Sequence, residues 1–293
     1  MMSEQFLRLG VPKGSLQDAT LKLFAKAGWK IKLHNRNYFP DIDDDRIKCS
    51  LARAQEMSMY VENGTFDVGL TGMDWIKENK SDVVVVDDLI YSKVSNRKAR
   101  WVLCVKGDSP YKRPEDLEGK KIATELVGFT KEYFNSIGVN VDVTFSWGTT
   151  EAKVVEDLCD AVVEITETGT TIRANGLRII AELMQTNTQL IANKEAWEDP
   201  KKRKLIQEIN MLLQGALKAE KMVGLKMNLP KDKLEALNGS LPSLNSPTVA
   251  ELQDPNWLSV EIMVDETVVR DLIPRLVEFG AEGIIEYPLN KVI

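Results

Sequence analysis

The 293-residue sequence contains one histidine, His34. Catalytic triads, imidazole relays and most catalytic zinc sites need at least one histidine and often several, so any chemistry of this chain involves little proton shuttling through imidazole. Read on a polar stretch between Leu33 and Asn35, His34 is expected at the surface. Cysteine is nearly as scarce. Cys49, Cys104 and Cys159 are isolated, odd in number and lack Cys-x-x-Cys spacing, which supports neither a disulfide framework nor a structural zinc site. They are expected as small apolar core residues. Long apolar runs are absent too: the longest purely aliphatic stretch, Val83 to Val86, is far too short to span a bilayer. Met1 to Gly14 lacks the basic and apolar regions of a secretion signal, so a soluble, cytoplasmic protein is expected. No strong charge excess exists, with 38 Lys+Arg against 44 Asp+Glu. The net charge of −6, without a basic stripe, argues against non-specific nucleic-acid binding.

What is present fits an ordinary globular chain, with 43% apolar and 28% charged residues and enough length for a bilobed unit plus a small domain. Short apolar runs alternate with helical patterns. Phe6 to Leu9 reads as a strand, Pro12-Lys13-Gly14-Ser15 as a turn, and Leu16 to Ala27 as a helix with Leu16, Ala19, Leu23 and Ala27 at helical spacing. Further strands are expected at Ile47 to Ala52, Val68 to Thr71, Val83 to Val86, Trp101 to Val105, Lys121 to Thr124, Val141 to Phe145, Ala161 to Ile165 and Leu177 to Ala181. Helical patterns lie between them at Met57 to Glu62, Lys131 to Ile137 and Glu151 to Leu158. Such alternation predicts parallel sheets with helices on their faces.

Two segments read as boundaries: the polar, basic Lys93 to Arg100, and a long amphipathic helix from about Pro200 to Glu220. After that helix the pattern changes. Strands at Met222 to Leu229, Thr248 to Leu252, Leu258 to Val264 and Ile284 to Tyr287 interleave with helices at Lys231 to Leu237 and Thr267 to Phe279. That β-α-β-β-α-β order predicts a small ferredoxin-like domain.

The stretch from Asp160 to Gly176 is the most informative for chemistry. A buried strand, Ala161 to Ile165, runs into Thr166-Glu167-Thr168-Gly169-Thr170-Thr171, a hydroxyl-rich turn around one glycine. Backbone N–H groups at a helix start, with the Thr168, Thr170 and Thr171 hydroxyls, suit a phosphate monoester. Asp160 and Glu164 suit ribose hydroxyls or a divalent ion. The same turn also reads as a plain N-cap and glycine turn. Lys13-Gly14-Ser15 follows the first strand, where ligands bind parallel sheets, and could hold a polyphosphate; a surface turn explains it equally. Arg53 and Asp74 also sit at expected strand ends, although helix capping accounts for Asp74 as well. Glu151 has the same two readings, and Arg100 is either a site cation or part of the basic linker.

Together these segments resemble the ATP phosphoribosyltransferase family, the first enzyme of histidine biosynthesis, in its long, histidine-regulated form. The matching segments are LRLGVPKGSL, ARAQEMSMYVENGTFDVGLTGMDW, RWVLCV, KKIATE, DAVVEITETGTTIRANGL and, near the C-terminus, LNSPTVAEL and FGAEGIIEYPL. Ala54 departs from the pattern, standing where many members have proline. The resemblance implies a bilobed catalytic unit like type II periplasmic binding proteins: lobe I from residues 1–98 and 185–220, lobe II from 99–184, and a ferredoxin-like regulatory domain over 221–293. It implies that Glu167, Thr168, Gly169, Thr170 and Thr171 hold the 5-phosphate of phosphoribosyl pyrophosphate, with Asp160 and Glu164 facing its ribose. Lys13, Gly14, Arg53, Asp74 and Arg100 are expected on the pyrophosphate and nucleotide, and Ser246, Thr248, Ala281 and Gly283 around regulatory histidine. It further implies Mg²⁺ carried with ATP and phosphoribosyl pyrophosphate, and assembly into homo-oligomers, dimers and hexamers. A prephenate dehydratase-like enzyme, or an amino-acid-sensing binding protein, combines similar domains and remains the alternative on fold alone.

Overall fold

The computed structural model describes residues 6–35, 37–91, 98–148, 150–237 and 246–293. Most of the basic segment Lys93 to Arg100 lies outside the described residues, as does Thr149. The chain divides into two compact units, one holding residues up to Asn210 except Lys26–Gly28, the other holding those three residues and Met211–Ile293.

In chain order the first unit begins with β1 (Leu7–Lys13), α1 (Gln17–Ala27), β2 (Ile31–Lys32), β3 (Asp41–Ile42), β4 (Ile47–Arg53), α2 (Ala54–Glu62), β5 (Val68–Gly72), α3 (Met73–Asn79) and β6 (Val84–Leu89). There follow β7 (Ala99–Lys106), β8 (Lys121–Thr124), α4 (Val127–Ser136), β9 (Asp142–Phe145), α5 (Thr150–Val155), β10 (Ala161–Thr166), α6 (Thr170–Ala174) and β11 (Leu177–Thr186). The chain then forms β12 (Thr188–Ala192), α7 (Lys194–Glu198) and α8 (Pro200–Ala219). Two five-stranded sheets result, ordered β4-β1-β5-β12-β6 in lobe I and β11-β7-β10-β8-β9 in lobe II.

Both sheets are mixed, not parallel. β12 runs antiparallel to β5 and β6, and β7 antiparallel to β10 and β11. The reason is the path of the chain. β6 ends at the lobe junction, so β7, the next strand, enters lobe II from that junction and runs away from it. β11 returns, and only Asn187 separates it from β12, which enters lobe I the same way. Alternating apolar patterns do not reveal such reversals, because a strand buried on both faces reads alike in either direction.

In lobe I the interior strand β1 is buried along most of its length, with Leu7, Leu9 and Val11 nearly solvent-free. Helix α2 packs closely over β1 and β5 through Met57 and Val61. Gly10 and Gly69 make the approach possible: a Cβ at Gly10 would stand 2.4 Å from the Met57 Sδ, and one at Gly69 2.8 Å from the same sulfur. The three cysteines are buried and free, as small core residues; burial pushes the Cys49 and Cys104 thiols up to about 12. His34 is partly exposed at the surface, its Nε2 2.7 Å from the Asp41 Oδ2.

The second unit contains β13 (Met222–Pro230), α9 (Leu234–Leu237), β14 (Thr248–Glu251), β15 (Trp257–Asp265), α10 (Glu266–Glu278) and β16 (Glu282–Pro288). Its sheet order, β14-β15-β13-β16, is that of a ferredoxin-like domain. Strict alternation puts Val223, Leu225, Met227 and Leu229 of β13, with Leu258, Val260, Ile262 and Val264 of β15, on one buried face. Val269, Leu272 and Leu276 of α10 cover it. Asp265 caps α10, its Oδ1 accepting from the Thr267 N–H at 2.9 Å. None of the described helices is long and apolar enough to cross a membrane.

The crowding at Gly10 gives a direct test of the α2 packing. Gly10→Val should lower unfolding free energy by about 1–3 kcal/mol or more, read as a lower urea midpoint; a wild-type midpoint would contradict the packing described.

Candidate active site

The carboxyl ends of β1, β4 and β5 in lobe I face those of β8 and β10 in lobe II. Between them lies a cleft of about 480 Å³. Lobe I contributes Lys13, Gly14, Ser15, Arg53 and Gln55; lobe II contributes Glu125, Ile165, Thr166 and Glu167. Asp74, Trp101 and Thr186 form its floor at the lobe junction.

The parallel register of β1 and β4 pairs Lys13 with Arg53, which sets two cations side by side on one wall. Each lies against an exposed aromatic ring. The Lys13 Nζ is 4.3 Å from the Tyr38 ring centroid, and the Arg53 guanidinium is 5.6 Å from that of Trp147, across on lobe II. Gly14 has φ of +106° and open space where a Cβ would stand, so the backbone turns away from β1 with no side chain in the cleft.

The facing wall carries the carboxylates Glu125, just after β8, and Glu167. Glu151, in the first turn of α5, and Glu164, on β10, are not among the residues lining the cleft. The Glu164 carboxyl is pushed up to about 7, first by burial and then by the Glu151 charge, with Glu125 adding to it. Glu125 is raised as well, chiefly by burial; hydrogen bonds from the Gly148 backbone and from Gln55 of lobe I oppose the rise. Among the described residues no group of three or more His, Cys, Asp or Glu is arranged to hold a metal ion by itself.

Beyond β10 the chain turns sharply. Gly169 adopts the left-handed conformation, φ +74°, and its N–H donates to the Thr166 Oγ1 at 2.8 Å. The Thr168 and Thr170 hydroxyls are 2.9 Å apart, and the Arg173 Nη2 donates to the Thr168 carbonyl at 3.1 Å. Glu167 lines the cleft, while Thr168, Thr170 and Thr171 form an exposed, hydroxyl-rich turn beside it.

Other expected residues make structural bonds, and of these only Asp74 lines the cleft. Asp160 precedes β10, at the end opposite the hydroxyl turn. Six residues at about 3.3 Å each separate Asp160 from Thr166, roughly 20 Å. Its carboxylate accepts the Lys121 N–H at 3.0 Å and the Tyr111 hydroxyl at 3.4 Å, bonds that tie β10 to its neighbours. Arg100 is not part of the cleft lining; its Nη1 donates to the Glu182 Oε2 at 3.2 Å on the adjacent β11. Asp74 is neither an exposed cap nor a free anion. It is 3% exposed, its Oδ2 accepts the Trp101 indole N–H at 2.8 Å, and its own N–H donates to the Thr186 Oγ1 at 3.2 Å. Burial pushes its carboxyl up. In the second unit, Ser246 and Thr248 lie before and on β14, while Ala281 and Gly283 lie before and on β16. These are opposite edges of the sheet, three strand spacings or about 14 Å apart.

Glu125 and Gln55 are cleft residues that were not singled out from the sequence. Glu125 had a signal, since it ends the KKIATE strand at the edge where ligands bind. Gln55 had none, because a helical glutamine reads as surface.

Fold and cleft together define a two-lobed α/β ligand-binding unit of the type II periplasmic-binding-protein kind, carrying a ferredoxin-like domain after it. Comparison with known proteins gives the family. Residues 53–215 match the HisG family, ATP phosphoribosyltransferase, and residues 219–291 match the HisG C-terminal domain. An ATP phosphoribosyltransferase of Solidesulfovibrio magneticus is 69% identical over the whole of both chains. Among solved structures, the ATP phosphoribosyl transferase (HisG:HisZ) complex from Thermotoga maritima has a TM-score of 0.61 at 23% identity, covering 71% of this chain and 99% of that one. Tv2483 bound to L-arginine has a TM-score of 0.50 at 13% identity, covering 74% and 86%; at such identities both likenesses concern the fold alone. This chain belongs to the ATP phosphoribosyltransferase family, in its long form, and is a transferase.

The Glu164 carboxyl stands above its ordinary 4.5, so the folded protein holds this proton more tightly than the unfolded chain does. Its contribution to stability is complete below about pH 4.5 and is lost as pH rises through about 7. Glu164→Gln should therefore raise stability at pH 8 by on the order of 1–3 kcal/mol and change little at pH 5. Thermal unfolding at the two pH values checks this, and equal destabilisation at both would contradict it.

Proposed function

We propose that the cleft joins ring nitrogen 1 of ATP to the anomeric carbon of phosphoribosyl pyrophosphate, releasing pyrophosphate and giving phosphoribosyl-ATP, the first step of histidine biosynthesis. The observation that carries this reading is the pairing of two walls: the β10 strand with its hydroxyl turn on one side, Lys13 and Arg53 on the other.

The attacking nitrogen is a neutral lone pair and pyrophosphate is a good leaving group, so no strong nucleophile need be ionised. A protein with one surface histidine is compatible with such a step. Most of the rate comes from aligning two polyanions and from stabilising a cation-like sugar ring as the bond to pyrophosphate breaks. The turn Glu167–Thr171 anchors the 5-phosphate, so that binding energy far from the reacting carbon orients it. Glu164, half-buried beside Glu151, faces the ribose, where a carboxylate favours developing positive charge. Lys13 and Arg53 offset the charge gathering on pyrophosphate, and the Gly14 backbone admits its oxygens closely. Asp160, held in structural bonds away from the cleft, and Arg100, paired with Glu182 at its edge, are not assigned to substrate.

The family generally uses a metal ion, and we take it to be Mg²⁺, carried on the substrates' phosphates. Carboxylates such as Glu151 and Glu164 are the hard oxygen donors it accepts beside phosphate and water. When bound it neutralises part of the leaving-group charge.

The second unit is proposed to bind histidine as a feedback inhibitor and to shift the balance between more and less active assemblies. A histidine site drawing on both Thr248 and Gly283 spans opposite sheet edges, so two copies must supply it. That requirement supports a homo-oligomer, dimer or hexamer, which we place in the cytoplasm as a biosynthetic enzyme. The prephenate dehydratase-like and non-catalytic readings have no support in the family matches.

Pyrophosphate release from ATP and phosphoribosyl pyrophosphate tests the reading, with histidine expected to lower the rate. Thr170→Ala together with Thr171→Ala should cut turnover at least ~100-fold with unchanged unfolding. Wild-type-like turnover would place the phosphate elsewhere.

A further inference from the structure

Helix α3 belongs to lobe I, yet two of its acidic side chains, Asp74 and Glu78, bond to lobe II. Besides the bond from Trp101 to Asp74, the Glu78 carboxylate accepts the backbone N–H groups of Gly128 and Phe129, both at 2.8 Å. Those two groups belong to the first turn of α4. Lys80, just past α3, pairs with Glu132 of α4. Trp75 meets Trp101 edge to face, ring centroids 6.5 Å apart. Asp74, Trp75 and Glu78 share one helical face through their spacing.

Glu78 does for α4 what an N-cap side chain normally does within its own helix. The α4 N-cap residue, Leu126, supplies no side-chain acceptor, and the first N–H groups of a helix need one. A carboxylate there also meets the positive end of the helix dipole. Gly128 lets it come close: a Cβ at that position would stand 3.3 Å from the Glu78 Oε1. The turn before α4 consists of Glu125 and Leu126, so the cleft carboxylate Glu125 is carried by the segment that Glu78 fixes. Glu78 does not itself line the cleft.

We propose that Glu78 is a positioning residue for the transfer reaction: by capping α4 from across the lobe junction, it holds the β8–α4 turn and Glu125 in place against the bound substrates. The proposal rests on the reading of the cleft as the site of phosphoribosyl transfer. It makes Glu78 act through Glu125 and not on substrate.

The test is steady-state pyrophosphate release by the full-length protein carrying Glu78→Ala, Glu78→Gln, Glu125→Gln, or Glu78→Ala with Glu125→Gln. Glu78→Ala should lower kcat/KM about tenfold or more at a temperature where unfolding curves show it folded. Glu78→Gln, which keeps one acceptor oxygen, should recover part of that loss. In the Glu125→Gln background Glu78→Ala should cost only about twofold, because the group being positioned is already gone. A merely stabilising role would shift the unfolding curve and leave this coupling at zero. Gly128→Ala, which keeps both carboxylates but crowds them, provides the same comparison if Glu78→Ala does not fold, with an expected loss of about two- to fivefold that also depends on Glu125. Wild-type kcat/KM in Glu78→Ala and Gly128→Ala, or equal losses in both backgrounds, would overturn the proposal. A wild-type protein releasing no pyrophosphate would overturn the reaction assignment itself, and the proposal with it.

Discussion

The catalytic unit depends on how the chain passes between its two lobes. It crosses once between β6 and β7 and once through Asn187 between β11 and β12. At this junction the buried Asp74 carboxyl joins α3 to Trp101 and its backbone N–H joins α3 to Thr186. A nearly solvent-free carboxyl is costly unless its partners are fixed, so the bonds at Asp74 tie α3 to both strands that pass the junction, β7 and β11. Every cleft residue is placed relative to this point. The crossings also explain the mixed sheets, since each strand that begins at the junction must run against its neighbours.

The cleft separates charge by lobe. Lobe I offers Lys13 and Arg53 from the ends of adjacent parallel strands; lobe II offers Glu125 and Glu167 beside a hydroxyl turn, with Glu164 and Glu151 close enough to Glu125 to share its field. Such an arrangement suits a substrate that is anionic at both ends and gains positive character in the middle as it reacts. It also has a cost, visible in Glu164, whose proton is held to about pH 7 by burial and like charge. Strained electrostatics of this kind gather where function requires them.

Much of this was legible in the sequence. The β-α alternation gave two sheets and the C-terminal pattern gave the ferredoxin-like domain, because alternation along β13 and β15 is strict and the α10 cap is local. The turn after β10 was legible for the same reason: hydroxyls and a glycine at fixed offsets define it within six residues. Long-range facts were not. Strand direction at β7 and β12 depends on the lobe crossings, and β12 itself, fully buried, carries no alternation to mark it. Asp160 looked like a partner of Glu164 by proximity in sequence, yet the four residue steps between them, along an extended strand, carry the two to different surroundings. Asp74 read as a site residue or a helix cap, and only the arrival of Trp101 from the other lobe shows it buried. Gln55 and Glu78 act across the junction, where sequence spacing holds no information.

The central claim is that the hydroxyl turn after β10 holds the 5-phosphate while Lys13 and Arg53 face the leaving pyrophosphate. A crystal structure with phosphoribosyl pyrophosphate bound tests it most directly. The predicted result is the 5-phosphate within hydrogen-bonding distance of the residues Thr168 to Thr171, the ribose beside Glu164, and the pyrophosphate toward lobe I. A 5-phosphate seated instead at Lys13-Gly14-Ser15, or outside the cleft, would contradict it.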